Sequence, residues 1–189
     1  YLLSYDMWGN PVFTPETFHD RGDFIKGLEP ELKLQNAVDK FLAAKPAYDK
    51  LKIPHRRGLL LYGPPGNGKT RTIIEAARRI QPHYVFVTEY TPTMEVREAF
   101  RSTPVMIVIE EVTEVVYSDA GIGNFLNFMD GMNSLQQALV ICTTNYPEML
   151  PPNVIDRPSR FDELINCGNP DRQARQKIRQ GGAETARQL

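Results

Sequence analysis

Cysteine is scarce in this chain of 189 residues, where Cys142 and Cys167 are the only two. Each lies in an apolar stretch, far from the other. Two separate cysteines cannot build a disulfide framework or a zinc site, so both kinds of stabilisation are excluded. We therefore expect a protein of a reducing compartment such as the cytoplasm.

An excess of charge is also missing, because 22 lysines and arginines offset 23 aspartates and glutamates. A non-specific nucleic-acid binder carries a strongly basic composition, so a nucleic-acid partner is not favoured. No apolar run approaches the roughly 20 residues of a membrane-spanning helix. With 41% hydrophobic and 24% charged residues, the composition is that of a soluble globular domain without a membrane segment in the visible chain.

Near-continuous apolar runs predict strands that are buried on both faces. They cover residues 59–62, 84–87, 105–109, 139–142 and, more weakly, 164–165. Segments with helical spacing alternate with them: residues 29–51, in which the pattern breaks at Pro46, then 70–80, 93–101 and 122–132. Such alternation predicts a three-layer α/β domain, with a parallel sheet of about five strands and helices on both faces.

The composition divides the chain into three parts. Residues 1–27 are rich in aromatic and turn-forming residues, and they predict a hairpin and a linker that end a preceding region. Residues 28–170 form the α/β domain. Residues 171–189 are polar and begin with a predicted helix over residues 171–179.

The segment GPPGNGKT at residues 63–70 matches the pattern G-x-x-x-x-G-K-T between a predicted strand and a predicted helix. Gly66 and Gly68 allow backbone N–H groups to converge on phosphate oxygens at the helix N-terminus. Lys69 would neutralise the β and γ phosphates, and Thr70 would place its hydroxyl on Mg²⁺. The prediction of nucleotide binding covers the whole segment: Gly63, Pro64, Pro65, Gly66, Asn67, Gly68, Lys69 and Thr70.

Polar side chains follow two further predicted strands. Glu110 and Glu111 end the run at residues 105–109, and one acid can hold the Mg²⁺ shell while the other acts as a general base towards water. Asn145 follows the run at residues 139–142 and can orient that water or contact the γ phosphate. A strand followed by Thr-Asn is also common in a plain turn, so this assignment is open.

Two arginines, Arg157 and Arg160, flank a Pro-Ser pair. An arginine presented to the γ phosphate of a neighbouring subunit stabilises the charge that develops during phosphoryl transfer. Taken alone, the segment is equally a charged surface loop.

In their order, these four elements resemble the AAA family of P-loop ATPases over residues 23–178. Residues 61–70 are similar to its Walker A segment and residues 107–111 to its Walker B segment. Residues 144–145 and 157–162 are similar to its first sensor and its paired arginine fingers. The resemblance implies ATP and Mg²⁺ as cofactors, with the metal at Thr70 and Glu110 and the catalytic residues Glu111, Asn145, Arg157 and Arg160.

Within the family, residues 53–58 and 125–131 look most like the mitochondrial translocase of the Rieske subunit and its bacterial relatives. Glu110, where most AAA proteins have Asp, is similar to the same branch. Residues 23–27 resemble the linker over the adenine, with Ile25 as its apolar contact. A helical lid should follow residue 171, and the visible sequence is too short for it, so we expect a lid that is truncated or absent.

The resemblance implies ATP hydrolysis coupled to the remodelling of a macromolecular partner, with a protein as the expected substrate. Because neither arginine of this family reaches the γ phosphate of its own subunit, it also implies a homo-oligomeric, hexamer-like ring. A nucleotide-gated adaptor with weak hydrolysis is an alternative, favoured by Glu110 and the missing lid. A small-molecule kinase has no use for the sensor and the paired arginines, and a DNA-associated helicase or clamp loader is weakened by the lack of a basic face.

Overall fold

The computed structural model describes residues 2–5, 7, 11–14, 27–80, 84–88, 101, 103–119, 121–131, 135, 137–157, 160–172 and 174–176. The strands are β1 (Leu2–Tyr5), β2 (Pro11–Thr14), β3 (His55–Tyr62), β4 (Tyr84–Thr88), β5 (Val105–Ile109), β6 (Gln137–Thr144) and β7 (Glu163–Asn166). The α-helices are α1 (Glu29–Leu51), α2 (Lys69–Arg79), α3 (Val112–Tyr117), α4 (Gly121–Gly131) and α5 (Pro152–Ile155), and a 3₁₀-helix covers Pro147–Met149.

One sheet contains all seven described strands, in the order β2-β1-β4-β5-β6-β3-β7. The five strands from β4 to β7 in this order are mutually parallel, which confirms the predicted α/β fold. Two short strands extend the sheet beyond that prediction. β1 lies parallel to β4 and pairs antiparallel with β2.

Alternate residues of the central strands face two apolar clusters. Leu59 and Leu61 of β3 point towards α1 and α2, whereas Leu60 points towards α3 and α4 on the other face. All eight positions of β6 are buried, as expected for a strand covered on both sides. The domain therefore has the three layers that the sequence predicts.

Helix α1 runs through Pro46 instead of ending there, so the predicted break is wrong. Proline lacks an N–H and removes one helical hydrogen bond. The apolar face of α1 packs on β3 and α2 with Leu34, Val38 and Phe41 fully or almost fully buried. Because packing supplies most of a helix's stability, this contact outweighs the lost bond. The helix ends at Leu51, and Lys52 after it has a left-handed conformation.

The other predicted helices agree with the helices of the structure to different extents. Helix α2 lies within one residue of its predicted limits, and α4 covers most of residues 122–132. The helix predicted over residues 93–101 lies outside the described residues except for Arg101, which is in a turn. Residues 172 and 174–176 are helical, while residues 177–189 lie outside the description. Helix α3 was not predicted, because its sequence VTEVVY is short and rich in β-branched residues.

None of the helices in the described ranges has the combination of length and apolar character needed to cross a bilayer.

The strand order determines where the candidate site lies. β5, β6 and β3 are neighbours and parallel, so their carboxyl ends lie side by side at one edge of the sheet. Ligands of open parallel sheets bind at this edge.

Candidate functional site

The nucleotide loop, residues 63–70, connects the carboxyl end of β3 to the start of α2. Gly66 and Gly68 have φ angles of 78° and 79°, which strain residues that carry a Cβ. Gly63 is required for space as well, because a Cβ there would lie 2.4 Å from the carbonyl oxygen of Cys167. Asn67 donates its side-chain amide to the same Cys167 oxygen at 3.0 Å and so fixes the loop to the chain after β7.

The ammonium group of Lys69 is almost completely buried, with 7% of the residue exposed. It donates to the carbonyl oxygens of Gly63 at 2.7 Å and Pro64 at 3.1 Å, and to Oδ1 of Asn145 at 2.5 Å. These bonds hold its positive charge in the loop, where phosphate oxygens would replace the three acceptors. They also place Asn145 beside the loop, as the strand order requires.

Thr70 and Glu110 meet across the edge of the sheet, where the Thr70 hydroxyl donates to Oε1 of Glu110 at 2.8 Å. A hydroxyl and a carboxylate are oxygen ligands of the kind that Mg²⁺ prefers. Within the described part of the chain, no group of three or more His, Cys, Asp or Glu is placed to hold a metal ion. A Mg²⁺ ion at these two residues would therefore complete its shell with phosphate and water oxygens, which is its usual mode of binding.

Glu111 has a left-handed backbone, with φ of 48°, at the start of α3. Such a conformation costs a non-glycine residue about 1–3 kcal/mol. Two hydrogen bonds hold it: the Glu111 N–H donates to the hydroxyl of Thr143 at 3.1 Å, and the Asn145 N–H donates to Oε2 of Glu111 at 3.3 Å. The strained turn therefore directs the Glu111 carboxylate towards the sensor position.

Thr143 is a functional candidate to which the sequence reasoning assigned no role, and Thr144 was named there only with Asn145 in the segment similar to the first sensor. Both are buried at the end of β6. The hydroxyl of Thr144 lies 2.6 Å from that of Thr113 in α3 and accepts from the Tyr146 N–H at 3.0 Å. In the sequence, two hydroxyl residues at the end of an otherwise apolar buried strand are the signal that would have indicated these hydrogen bonds to neighbouring site residues.

Arg157 and Arg160 meet at a carboxylate that the sequence reasoning did not assign to the site. Arg160 donates from Nε and a terminal nitrogen to the two oxygens of Asp130, at 3.3 and 3.0 Å, and it also donates to the carbonyl oxygen of Asn153. Arg157 donates to Asp130 at 3.2 Å. Asp130 lies in the last turn of α4, which precedes β6.

Arg157 and residues 160–162, which we call the arginine loop, lie before the amino end of β7 and not at the nucleotide loop. The carbonyl oxygen of Arg160 sits so close to Gly58 that a Cβ on Gly58 would overlap it. The strand from Gly58 to Gly63 rises about 16 Å, at about 3.3 Å per residue. The two arginines are therefore brought together with each other, and not with Lys69 and Glu111 of the same chain.

The two cysteines are free and buried. Burial raises the pKa of Cys167 to about 11, although the charge of Lys69 opposes this shift, and burial also raises the pKa of Cys142. Both shifts favour the neutral thiol over the thiolate, which is the reactive form of cysteine. Ile25, the expected adenine contact, lies outside the described residues. The description resumes at Gly27, whose N–H donates to Oε2 of Glu31 at 2.7 Å.

A family model described as the ATPase family associated with various cellular activities (AAA) matches residues 59–169. This match covers more than half of the chain and includes the nucleotide loop, Glu110, Glu111, Asn145 and the arginine loop. The chain belongs to the AAA family. The predicted family is thus confirmed, and the chain carries an AAA ATPase domain.

Several curated proteins are similar to this AAA chain. The cell division cycle protein 48 homolog of Archaeoglobus fulgidus is 30% identical over 176 residues, which is 82% of this chain and 24% of that protein. The ATPase family gene 2 protein of Saccharomyces cerevisiae is 29% identical over 174 residues, with 80% and 22% covered. The ATP-dependent zinc metalloprotease FtsH 2 of Thermoanaerobacter sp. is 30% identical over 183 residues, with 86% and 35% covered. The chain spans between 22% and 35% of the length of these relatives.

Proposed function

We propose that this AAA domain binds ATP with Mg²⁺ at the carboxyl ends of β3, β5 and β6 and hydrolyses it there. One observation carries the proposal: the residues expected for this chemistry are already joined by hydrogen bonds at three neighbouring strand ends. Lys69 donates to the Asn145 side chain, the Asn145 backbone N–H donates to Glu111, and Thr70 donates to Glu110. The family match supports the same chemistry.

In this proposal each residue has a separate task. The backbone N–H groups of the nucleotide loop and Lys69 bind the phosphates, and Thr70 and Glu110 hold Mg²⁺, which shields phosphate charge. Glu111 accepts a proton from water while the water oxygen bonds to the γ phosphorus and the bond to ADP breaks. Asn145 orients this water or contacts the γ phosphate. ADP and inorganic phosphate are the products.

We further propose that the complete site is shared between copies of the chain. Arg160 lies beside Gly58, about 16 Å along β3 from the nucleotide loop, so in this proposal a second copy supplies the arginine. An interface of this kind joins two different surfaces, and it closes into a ring when the rotation between copies allows. A homo-oligomeric, hexamer-like ring is the assembly that this arrangement favours.

The remodelled partner is proposed to be a protein. One of the similar proteins is named as an ATP-dependent metalloprotease, which favours protein over nucleic acid as the substrate class. The finer likeness to the Rieske-subunit translocases is carried by residues 53–58, residues 125–131 and Glu110. We place the protein in a reducing compartment such as the cytoplasm because its two cysteines are free.

A nucleotide-gated adaptor with weak hydrolysis is the second candidate. Glu110 favours it, because a carboxylate one methylene longer than Asp changes the distance to a bound Mg²⁺. In the adaptor, ATP binding would change the conformation, and slow hydrolysis would only reset it.

The deciding measurement is the steady-state ATPase rate against protein concentration. A shared site predicts a specific activity that rises with concentration as rings assemble. Mixtures of Lys69→Ala and Arg157→Ala should then be more active than either variant alone, since each subunit lacks what its neighbour keeps. A flat, negligible rate despite tight ATP binding would replace this proposal with the adaptor. A flat, substantial rate without complementation would contradict the shared site.

A further inference from the structure

The two arginines of the arginine loop differ sharply in their surroundings. The side chain of Arg160 is 4% exposed, whereas that of Arg157 is 58% exposed. Arg160 makes three hydrogen bonds within its own chain, two of them to the separate oxygens of Asp130. Arg157 makes one bond, of 3.2 Å, to the same carboxylate. An exposed single ion pair is weak and easily exchanged, while a buried paired guanidinium is not.

The backbone around Arg160 is also fixed on both sides. The Arg160 N–H donates to the carbonyl oxygen of Arg157 at 3.0 Å, and the Asp162 N–H donates to the carbonyl oxygen of Gly58 at 2.8 Å. Oδ2 of Asp162 accepts from the Gly58 N–H at 2.8 Å. With its carbonyl close to Gly58, the Arg160 backbone is held beside β3, so the guanidinium extends from a fixed position.

Asp130 lies at an unfavourable position for an acid. It is in the last turn of α4, where the helix dipole repels negative charge. Two guanidinium groups compensate for this repulsion. The carboxylate thus joins three parts of the chain: the end of α4, the loop after α5 that holds Arg157, and the approach to β7 that holds Arg160.

We propose that Arg160 is a positioning residue within its own subunit, that Asp130 holds it there, and that Arg157 alone is presented to the neighbouring subunit. The Asp130–Arg160 pair sets the place of the arginine loop, from which Arg157 can leave its single bond and reach a γ phosphate. This inference rests on the proposed function for the role of Arg157. It differs from the expectation that both arginines act across the interface.

The test compares Arg157→Ala, Arg160→Ala, Asp130→Asn and the Arg157→Ala/Arg160→Ala double variant, with Asp156→Asn as the matched control for an exposed acid beside Arg157. Melting temperatures are measured without nucleotide. The kcat and the ATP dissociation constant are measured well below the lowest melting temperature, so that every variant is folded.

Arg160→Ala and Asp130→Asn should each lower Tm by roughly 5 °C or more, because the first leaves Asp130 with Arg157 alone and the second leaves the buried Arg160 without its carboxylate. Arg157→Ala and the control should stay within about 1 °C of the parental protein. Arg157→Ala should lower kcat by about 10³-fold, as for other arginine fingers. Arg160→Ala and Asp130→Asn should lower kcat by about tenfold or more, without changing ATP affinity, if loop position controls the finger.

The double variant decides between the two roles of Arg160. If Arg160 acts only through Arg157, the double variant has the same kcat as Arg157→Ala alone. If the two losses multiply while Asp130→Asn keeps parental kcat, Arg160 is a second finger and the proposal is overturned. It is also overturned if Arg160→Ala and Asp130→Asn lower Tm but keep parental kcat, since the pair is then merely structural. Failure of the proposed function is seen separately, as a parental protein that does not hydrolyse ATP.

Discussion

The carboxyl ends of β3, β5 and β6 differ from the region around the amino end of β7 in how they hold their polar groups. At the carboxyl ends, Lys69 and Glu111 rest on carbonyl, amide and hydroxyl partners that an incoming phosphate or water can replace. Near β7, Arg160 is held by a carboxylate and by backbone contact with Gly58. The polar groups at the carboxyl ends can exchange their partners for a ligand, whereas Arg160 near β7 keeps its partners within the chain.

This difference has a physical basis. The side chains of a binding site exchange hydrogen bonds within the protein for bonds to the ligand, so few internal bonds hold them. Backbone strain is confined to single residues of the site, as at Glu111 with its φ of 48°. A loop that serves a neighbouring subunit must keep its place without a ligand. Substitutions at the nucleotide loop should therefore change catalysis more than stability, whereas substitutions of Arg160, Asp130 or Gly58 should lower stability as well.

The largest effect is expected for Glu111→Gln. Loss of the general base should lower kcat by roughly 10²- to 10⁴-fold, because the amide cannot accept the proton of the attacking water. ATP affinity and Tm should stay close to parental values. Glu114→Gln, an exposed acid on α3, is the matched control, and single-turnover ATP hydrolysis is the measurement. Parental turnover in Glu111→Gln would show that Glu111 is not the base.

Gly58→Ala should produce the largest loss of stability. A Cβ at this position overlaps the carbonyl oxygen of Arg160, so β3 and the arginine loop must separate, at a cost of about 3 kcal/mol. Chemical denaturation gives the free energy of unfolding. Gly123→Ala, where an added Cβ meets no atom within 4 Å, serves as the control and should be neutral or slightly stabilising. Equal stability of the two variants would contradict the packing described here.

Thr143→Val should have an intermediate effect, on catalysis. The substitution keeps the volume of a buried residue and removes the hydroxyl that accepts from the Glu111 N–H. We expect kcat to fall about tenfold, or about 1.4 kcal/mol, with ATP affinity unchanged. Thr143→Ser keeps the hydroxyl and should retain most of the activity. If Val and Ser variants lose activity equally, the hydroxyl does not position Glu111.

His55 provides the smallest expected effect and tests the region away from the nucleotide loop. It is 2% exposed and stacks on Phe41 at a centroid distance of 4.0 Å. Burial lowers the pKa of His55 from 6.5, and the charge of Lys45 lowers it further. The backbone of Phe41 and the charge of Asp49 oppose this shift.

The unfolded chain binds a proton at His55 more readily than the folded protein does. The contribution of His55 to the free energy of unfolding is therefore complete above pH 6.5 and decreases as the pH falls below 6.5. Melting temperatures from about pH 7.5 to about pH 5.5 should show this decline. His55→Phe keeps the stacked ring and should flatten the pH profile relative to the parental protein. Identical profiles for the two proteins would show that His55 does not titrate in this range.

Much of this domain follows from local patterns in the sequence. Apolar runs predicted the five parallel strands, and the glycine spacing of residues 63–70 predicted where the phosphate loop joins β3 to α2. Pro46 misled because the packing of α1 is a tertiary effect, and α3 was missed because its β-branched sequence favours a strand. The residues that could bind phosphate were visible in the sequence, whereas Thr143 and Asp130 were not assigned, since their roles depend on partners elsewhere.

The sequence by itself determined which segments form the five parallel strands, which glycines shape the nucleotide loop, and which two acids follow β5. Only the tertiary structure decided which of those residues meet. Lys69 and Asn145 are 76 residues apart, and Arg160 and Asp130 are 30 apart. Local sequence encodes backbone conformation and periodic burial, but contacts between distant residues depend on strand order and register. For that reason two similar arginines, three residues apart, have different environments.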